Sequence, residues 1–307
     1  MFILVVIIFN INSGINIKTL TGDTSGVNSL VILPNGLLVS GSMKTINIWN
    51  ITTGITIKIL TGHSWSVDCL VVLSDGLLIS GSNDGTIIIW NVTTYINIKT
   101  LIEHDKETWK AIFLVALPNG LFASSREDYT IKIWNVSTGI NIKPLYGHSP
   151  YVTALVVLPD GLLASSSYLE IIIWNISRGI AVKTLHETDN IDFMYRIRSL
   201  VVLPDGLLAS DSDDYTIKIW NVNTGINIKR LYSHTDYVSS LVVLPDGLLA
   251  SGSSDKTIRI WSVSTTTKTY TLKPIYALYI IICLLMCFIG SIFMCILNFI
   301  YSFYNQQ

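Results

Sequence analysis

Six tryptophans recur along the chain at nearly even spacing, and each closes a stretch rich in isoleucine. Successive tryptophans are 41, 44, 40, 46 and 41 residues apart. A unit of about 40 residues cannot bury its own apolar face, so neighbouring copies must stack on one another. The repeat therefore predicts the architecture of most of the chain before any local propensity is considered. The six residues are Trp49, Trp90, Trp134, Trp174, Trp220 and Trp261.

The internal pattern of one unit predicts four short strands. In the unit from Val222 to Trp261, a polar stretch leads to a turn with His234, and an apolar stretch from Val238 to Leu244 follows. A Pro-Asp-Gly turn, a stretch of small residues and a final stretch ending in tryptophan complete the unit. Short stretches bounded by Gly, Pro, Asn or Asp are typical of antiparallel strands joined by tight turns. Four such strands per unit predict one blade of a β-propeller.

Short markers recur in register in these units and resemble those of WD40 repeats over roughly nine-tenths of the chain. A Gly-His pair stands at Gly62-His63 and Gly147-His148, and Trp-Asn closes five of the six units. The resemblance implies an all-β, WD40-type β-propeller with six complete four-stranded blades. The segment from Ile7 to Lys18 aligns with the segment beginning at Ile131 and predicts an additional N-terminal half-blade, so the ring is six- or seven-bladed.

The resemblance also implies hydrogen-bonded tetrads, because similar proteins join a His, a strand Ser or Thr, a turn Asp and the Trp of each blade. Repeat four has Tyr168 where the Asp is expected, and repeat one has Met43. We therefore expect these two blades to be held less firmly, since a buried network that lacks a member loses more than one bond. The implied tetrads are His63, Ser80, Asp84 and Trp90; His104, Ser124, Asp128 and Trp134; and His234, Ser251, Asp255 and Trp261.

No catalytic or metal-binding motif is recognisable in the sequence apart from the repeat pattern itself. The histidines recur about once per repeat, so they belong to different blades, and no copy supplies a second Cys or His nearby as a metal site would need. The net charge of -1 and the lack of a basic bias argue against nucleic acid as a partner. Nucleophile-base pairs, paired carboxylates and phosphate loops are not recognisable either, so the sequence predicts no enzyme, no metal and no cofactor.

The residues just before each apolar strand differ most between the copies. In similar proteins they surround the narrow face of the propeller, where protein or peptide ligands dock. Trp, Tyr and Arg often dominate the energy of such interfaces. Repeat five adds an insertion from His186 to Arg198, and long loops on a rigid scaffold often carry recognition. The alternatives are that these residues cap blade edges or that the repeat has drifted. The candidates are Trp65, Trp109, Lys110, Tyr151, Phe193, Tyr195, Arg196 and Tyr237.

After Pro274 the composition changes, and no charged residue occurs from Ile275 to Tyr304. About 18 apolar residues at about 1.5 Å each cross most of a hydrocarbon core about 30 Å thick, which predicts one transmembrane α-helix after the propeller. Lys268 and Lys273 precede this segment, so a tail-anchored, single-pass topology with a cytosolic propeller is expected. The sequence predicts a propeller at 1–273, a transmembrane helix at 274–304 and a short tail at 305–307. Within the propeller, the repeats lie at roughly 11–50, 51–91, 92–135, 136–175, 176–221 and 222–262, and a last outer strand lies at 263–273.

Together these features predict a non-catalytic scaffold that binds proteins or peptides and is tethered to a membrane through Ile275 to Tyr304. A receptor-like protein with its propeller outside the cytosol is one alternative, and it would use the glycosylation sequons that follow four of the repeat tryptophans. An enzyme with a reactive group in the central channel is a second alternative. A truncated repeat protein without a dedicated role is a third. The sequon asparagines are Asn50, Asn91, Asn135 and Asn175.

Overall fold

The computed structural model describes residues 5–9, 16–21, 26–102, 113–125, 128–149, 151–168, 170–186, 195–244 and 247–263. This part of the chain is built from strands and turns, so the prediction of an all-β repeat fold is confirmed. No helix in these ranges is both long enough and apolar enough to span a membrane. The predicted transmembrane helix at 274–304 and the tail at 305–307 lie outside the described residues.

The described strands form successive antiparallel sheets in chain order. The N-terminal sheet pairs β1 (Val5–Phe9) with β2 (Asn16–Thr21). Sheet 1 contains β3 (Ser29–Ile32), β4 (Leu38–Gly41), β5 (Thr45–Asn50) and β6 (Ile55–Thr61). Sheet 2 contains β7 (Val67–Val72), β8 (Leu78–Ser82), β9 (Thr86–Asn91) and β10 (Ile96–Ile102). Sheet 3 contains β11 (Phe113–Leu117), β12 (Leu121–Ser125), β13 (Ile131–Asn135) and β14 (Asn141–Leu145).

The later sheets repeat this plan. Sheet 4 contains β15 (Ala154–Val157), β16 (Leu163–Ser166), β17 (Glu170–Asn175) and β18 (Ile180–His186). Sheet 5 contains β19 (Leu200–Val202), β20 (Leu208–Asp211), β21 (Thr216–Asn221) and β22 (Ile226–Tyr232). Sheet 6 contains β23 (Val238–Val243), β24 (Leu249–Ser253) and β25 (Ile258–Trp261).

The sequence unit and the sheet are offset by one strand. Strand β22 is the polar strand that opens repeat six, but it pairs with β21 of sheet 5. The strand that ends in tryptophan is therefore the third strand of its sheet, and the polar strand that follows it is the fourth. The first strands of consecutive sheets, β3, β7, β11, β15, β19 and β23, lie next to one another. Sheets that stack through their first strands are consistent with the blades of a WD40 β-propeller.

The first and second strands of the sheets are largely buried because neighbouring sheets cover both of their faces. One cluster joins Val39 and Ile48 of sheet 1 to Leu70 and Trp90 of sheet 2. Leu20 of β2 is fully buried and packs in a cluster with Trp49, so the N-terminal sheet stacks on sheet 1. This stacking is the burial that a single unit could not achieve alone.

Sheet 6 differs from the other repeated sheets at its third strand. Ile258 and Ile260 of β25 are 45% and 39% exposed, whereas Ile87 and Ile89 at the matching positions of sheet 2 are 0% and 1% exposed. A fourth strand covers this position in sheets 1 to 5. The outer strand that the sequence predicts at 263–273 lies outside the described residues, apart from the buried residue Val263.

Lysines on the fourth strands of sheets 2, 3 and 4 connect each of these sheets to the next. Lys99 Nζ donates to the backbone oxygen of Ser137 at 2.8 Å, and Lys143 Nζ donates to that of Arg178 at 3.1 Å. Each acceptor lies in the turn between the third and fourth strands of the following sheet. The stem of Lys143 lies directly against Gly179, which has a φ of +69°. Glycine at this turn therefore accommodates both the left-handed backbone and the lysine of the preceding sheet.

We expect Gly179→Ala to destabilise the fold more than Gly161→Ala does. Both glycines have positive φ, +69° and +80°, so each alanine introduces backbone strain of about 1–2 kcal/mol. An added Cβ at Gly179 meets the Lys143 stem, whereas at Gly161 it meets nothing within 4 Å. Displacing the lysine is expected to cost a further 1 kcal/mol or so. Urea unfolding of both variants measures the difference, and equal losses would show that the lysine contact contributes nothing to stability.

Candidate functional site

The antiparallel order of the sheets brings two kinds of connection to one end. We call this end the loop face. It carries the turns between second and third strands and the loops that enter the first strands, which in sheet 2 are residues 83–85 and 62–66. The sequence-predicted tetrad residues and partner candidates that the structure describes fall on these connections or on the strands beside them.

The sheet 2 tetrad is a continuous hydrogen-bonded network. Trp90 Nε1 donates to Ser80 Oγ at 2.8 Å, and His63 Nε2 lies 2.7 Å from the same oxygen. His63 Nδ1 lies 3.2 Å from Asp84 Oδ2. Since an ionised carboxylate can only accept, Nδ1 carries the hydrogen and Nε2 accepts from the serine hydroxyl. Sheet 6 has the same arrangement, with His234 2.8 Å from Ser251 Oγ and 2.7 Å from Asp255 Oδ2, and with Trp261 donating to Ser251 at 2.8 Å.

The turn aspartates of these two networks are held in the ionised form. Burial raises the pKa of Asp84, but hydrogen bonds from His63, Thr86 and the backbone N–H of Ser64 outweigh it and bring the pKa well below its usual range. Burial likewise raises the pKa of Asp255, and bonds from Thr257 and His234 more than reverse this. The loop before the first strand is thereby attached to the second and third strands of the same sheet.

Sheets 3 and 4 depart from this pattern in different ways. Trp134 donates to Ser124 Oγ at 2.8 Å and Asp128 accepts from Thr130 Oγ1 at 2.7 Å, while His104 lies outside the described residues. In sheet 4 the expectation of a missing acid is wrong. Glu170 at the start of β17 supplies a carboxylate 3.1 Å from His148 Nδ1, although Tyr168 occupies the usual position of the acid.

Sheet 5 replaces the histidine with a lysine that sequence reasoning missed. Trp220 still donates to Ser210 Oγ at 2.9 Å. The Lys218 side chain is fully buried, and its Nζ donates to Asp214 Oδ2 at 2.9 Å. Burial raises the pKa of Asp214, but the bonds from Lys218 and Thr216 outweigh it and lower the pKa. Lys218 thus donates to the turn aspartate from the third strand, as His63 does from the entering loop in sheet 2.

Asp211 is a buried carboxyl group that belongs to no tetrad. Its Oδ1 accepts from the backbone N–H groups of Arg198 at 2.6 Å and Ser199 at 2.9 Å. Its Oδ2 is buried and has no hydrogen-bond partner in the described part of the chain. Burial raises the pKa of Asp211 well above its usual value, and the two backbone bonds only partly offset this effect. Glycines Gly41, Gly81 and Gly252 stand at the matching positions of sheets 1, 2 and 6, so the carboxyl group is specific to its repeat.

We expect Asp211→Asn to stabilise the protein increasingly as the pH rises above about 4. The protonated carboxyl favours the folded state, so wild-type stability falls once the unfolded state begins to ionise, by at most about 1.4 kcal/mol per pH unit. This fall continues until the pH reaches the raised folded-state pKa. Asparagine keeps the Oδ1 acceptor and has no charge. Urea unfolding at several pH values checks this, with the exposed Asp205→Asn as control, and a pH-independent difference between wild type and Asp211→Asn would contradict it.

Two groups of contacting aromatic rings lie on the loop face, one from sheet 3 to the loop that enters sheet 5 and one between sheets 5 and 6. The ring centroids of Tyr129 and Tyr151 are 5.8 Å apart, and those of Tyr151 and Tyr168 are 6.0 Å apart. The Arg196 guanidinium carbon lies 5.8 Å from the Tyr168 ring centroid. Tyr215 and Tyr237 form a further edge-to-face pair at 5.5 Å. We call this set the aromatic arc: Tyr129, Tyr151, Tyr168, Arg196, Tyr215 and Tyr237.

The partner candidates chosen from the sequence fall into three groups. Tyr151, Arg196 and Tyr237 belong to the aromatic arc. Trp65 is 51% exposed on the loop that enters sheet 2, and Tyr195 is partly buried beside Arg196. The remaining candidates lie outside the described residues, and they are Trp109, Lys110 and Phe193.

Sequence comparison of the entering loops missed the three tyrosines that come from the opposite turns. Tyr129 and Tyr215 have φ of 66° and 70°, at the position that Gly85 occupies in sheet 2 with a φ of 84°. A bulky residue is uncommon in this left-handed region, where glycine fits without strain. A tyrosine after the turn aspartate was therefore the signal that could have identified Tyr129 and Tyr215.

The asparagines that follow the repeat tryptophans have a structural role. Asn135 Oδ1 accepts from the backbone N–H of Thr138 at 3.0 Å. Asn221 makes the same bond to Thr224 at 3.0 Å, although it is followed by Val-Asn and lies in no sequon. Asx bonds of this kind stabilise tight turns. The turn itself thus accounts for an asparagine at this position.

The described part of the chain is a repeat protein of stacked four-stranded sheets whose loop face carries hydrogen-bonded tetrads and an aromatic arc. A family model described as WD domain, G-beta repeat (WD40) matches residues 14–50, 54–91 and 225–262, so the chain contains WD40 repeats. No curated protein matches the chain. Within the described ranges, no three His, Cys, Asp or Glu residues lie together as a metal site would require.

Proposed function

We propose that this protein is a non-catalytic scaffold that binds protein or peptide ligands on its loop face. WD40 repeats generally mediate protein-protein binding, and the family is made up mostly of scaffolds. The observation that carries the proposal is the aromatic arc, which places large side chains from four consecutive sheets on the same end of the molecule.

The exposure and support of these rings suit binding. Tyr129, Tyr215 and Tyr237 are 45%, 42% and 44% exposed, so they offer apolar area to a ligand. Tyr129 packs against Tyr151, and Tyr215 packs against Tyr237. These ring contacts limit rotation, which lowers the entropy lost on binding. The tetrads of sheets 4 and 6 attach the entering loops to the strands beneath them. A rigid scaffold with exposed aromatic side chains is typical of a recognition surface.

A selection from a displayed library of random octapeptides tests this proposal. The full-length chain, immobilised through an N-terminal tag, is expected to enrich a family of related peptides. Tyr151→Ala and Tyr237→Ala are each expected to weaken binding of the selected peptides about tenfold. Ile140→Ala and Ile226→Ala remove exposed apolar side chains at the opposite end of the sheets and are expected to have no effect. Failure to enrich any peptide, or equal loss in all four variants, would refute the proposal.

We also propose that residues 275–304 tether the protein to a membrane, with the propeller in the cytosol. The support is the absence of any charged residue across this segment and the two lysines that precede it. Protease treatment of intact membranes, with a tag at each end of the chain, tests both statements. Digestion of the N-terminal tag with protection of the C-terminal tag is expected. Protection of the N-terminal tag together with glycosylation would favour the receptor-like alternative. Release of the chain from membranes by alkaline carbonate would contradict the proposed membrane tether.

A further inference from the structure

Arg196 carries a positive charge that the described residues leave without an ion-pair partner. Its Nε is buried and has no hydrogen-bond partner among the residues that the structure describes. Its backbone oxygen accepts from the N–H of Asp213 at 3.2 Å, which attaches the residue to the turn of sheet 5. The side chain lies against the ring of Tyr168, with 5.8 Å between the guanidinium carbon and the ring centroid. The arginine is therefore positioned by its backbone and by an aromatic ring instead of by a carboxylate.

The acidic residues that the structure describes at the loop-face ends of sheets 4 and 5 are engaged with other groups. Asp213 binds Arg198, whose Nε and Nη2 donate to its two oxygens at 3.0 Å and 3.3 Å. Glu170 faces His148, and Asp214 faces Lys218. Among the residues that the structure describes, the positive charge of Arg196 thus stays uncompensated. A guanidinium in this condition is suited to a carboxylate from a ligand, because its planar donors match the two carboxylate oxygens.

The aromatic arc continues from the arginine in one direction. The Arg196 guanidinium carbon lies 5.8 Å from the Tyr168 ring centroid. The ring centroids of Tyr168 and Tyr151 are 6.0 Å apart. Tyr151 thus lies within about 12 Å of the guanidinium carbon, a distance that an extended peptide covers in three or four residues at about 3.3 Å each. Beyond it, the exposed ring of Tyr129 extends the apolar surface. One peptide can therefore reach the charge and the rings together.

We propose that the loop face recognises a peptide with an Asp or Glu side chain bound to Arg196 and an aromatic or large apolar side chain, three or four residues away, packed on Tyr151. The inference rests on the proposed peptide-binding function and specifies its partner. Charge complementarity determines the acidic position, and the half-buried Tyr151 ring, with the exposed Tyr129 ring beside it, determines the apolar one.

The composition of the selected octapeptides tests this inference separately from binding itself. On the wild-type chain, peptides with an acidic residue three or four positions from an aromatic one are expected to be enriched. Arg196→Gln is expected to abolish the acidic preference and leave the aromatic one, and Arg196→Lys is expected to retain part of it. Arg178→Gln removes the same charge from a turn at the opposite end of the sheets and is the matched control, with the acidic preference retained.

A selected peptide and its twin with the acid changed to the amide provide the direct measurement. Measured by fluorescence anisotropy, the acidic peptide is expected to bind the wild-type chain about tenfold more tightly than its amide twin does. The two peptides are expected to bind the Arg196→Gln variant about equally. Equal binding of the twins to wild type, or an acidic preference that survives Arg196→Gln, would overturn the inference while leaving peptide binding intact. Much tighter binding of a phosphoserine version, or displacement of the peptide by single-stranded RNA, would also overturn it. Enrichment of no peptide at all would refute the proposed function instead.

Discussion

Replacing Lys218 by methionine is expected to lower the free energy of unfolding by about 3 kcal/mol, because the change leaves a buried carboxylate without its cation. The Lys218 side chain is 0% exposed and that of Asp214 is 16% exposed, so water replaces little of the lost interaction. Asp214 keeps its bonds from the backbone N–H and the hydroxyl of Thr216, which hold the turn. The predicted loss thus comes from the unpaired charge. Urea unfolding followed by tryptophan fluorescence measures it.

A second substitution separates charge from packing. Asp214→Asn removes the charge and keeps the Oδ1 acceptor for Thr216, so the double variant Lys218→Met with Asp214→Asn is expected to recover most of the lost stability. Replacement of a buried pair by neutral groups of similar volume is often nearly neutral. Lys229→Met, at an exposed position of β22, is the control and is expected to change stability by no more than about 0.5 kcal/mol. A double variant no more stable than Lys218→Met would show that packing, and not charge, explains the loss.

The period of the tryptophans was sufficient to predict the sheets. Spacing near 40 residues and short apolar stretches imply four strands per unit, and the structure has five four-stranded sheets with the tryptophan strand third in each. The same register selected His63, Ser80 and Asp84, which the structure brings together with Trp90. Backbone repetition determines which positions meet, so residues at repeated positions are accessible to sequence reasoning.

Contacts between non-equivalent positions were not accessible in this way. Lys218 could not be recognised as a partner of Asp214, because Lys132 and Arg259 stand at the same position of repeats three and six. Its pairing depends on whether a histidine occupies the space in front of the turn aspartate. The aromatic arc joins loops of one repeat to turns of its neighbour, and its tyrosines Tyr129 and Tyr215 stand where other repeats have glycine, lysine or leucine. Such contacts depend on the three-dimensional proximity of different positions in neighbouring repeats, which the spacing of repeats along one sequence does not reveal.

Sheet 4 gives the second large prediction. His148→Ala is expected to destabilise the protein by about 3 kcal/mol, as much as His63→Ala does, because each histidine closes a complete network. His148 Nε2 lies 2.6 Å from Ser165 Oγ, its Nδ1 lies 3.1 Å from Glu170 Oε1, and Trp174 donates to the same serine at 2.7 Å. Removing the imidazole leaves the serine hydroxyl and the carboxylate without their common partner and opens a cavity beside the Trp174 ring.

The comparison between the two histidines distinguishes a complete network from an impaired one. The sequence pattern, with Tyr168 in the usual acid position, favours a weak network in which His148→Ala costs about 1 kcal/mol, the contribution of one ordinary hydrogen bond. If the sheet 4 network is complete, His148→Ala and His63→Ala are expected to lower the free energy of unfolding by amounts that agree within about 1 kcal/mol. Glu170→Gln keeps an oxygen acceptor for Nδ1 and is expected to cost about 1 kcal/mol, whereas Glu170→Ala leaves Nδ1 unpaired in a buried position and is expected to cost about 2 kcal/mol. Equal and negligible effects of both substitutions at Glu170 would mean that the carboxylate does not replace the turn aspartate, and that sheet 4 is held by Ser165 and Trp174 alone.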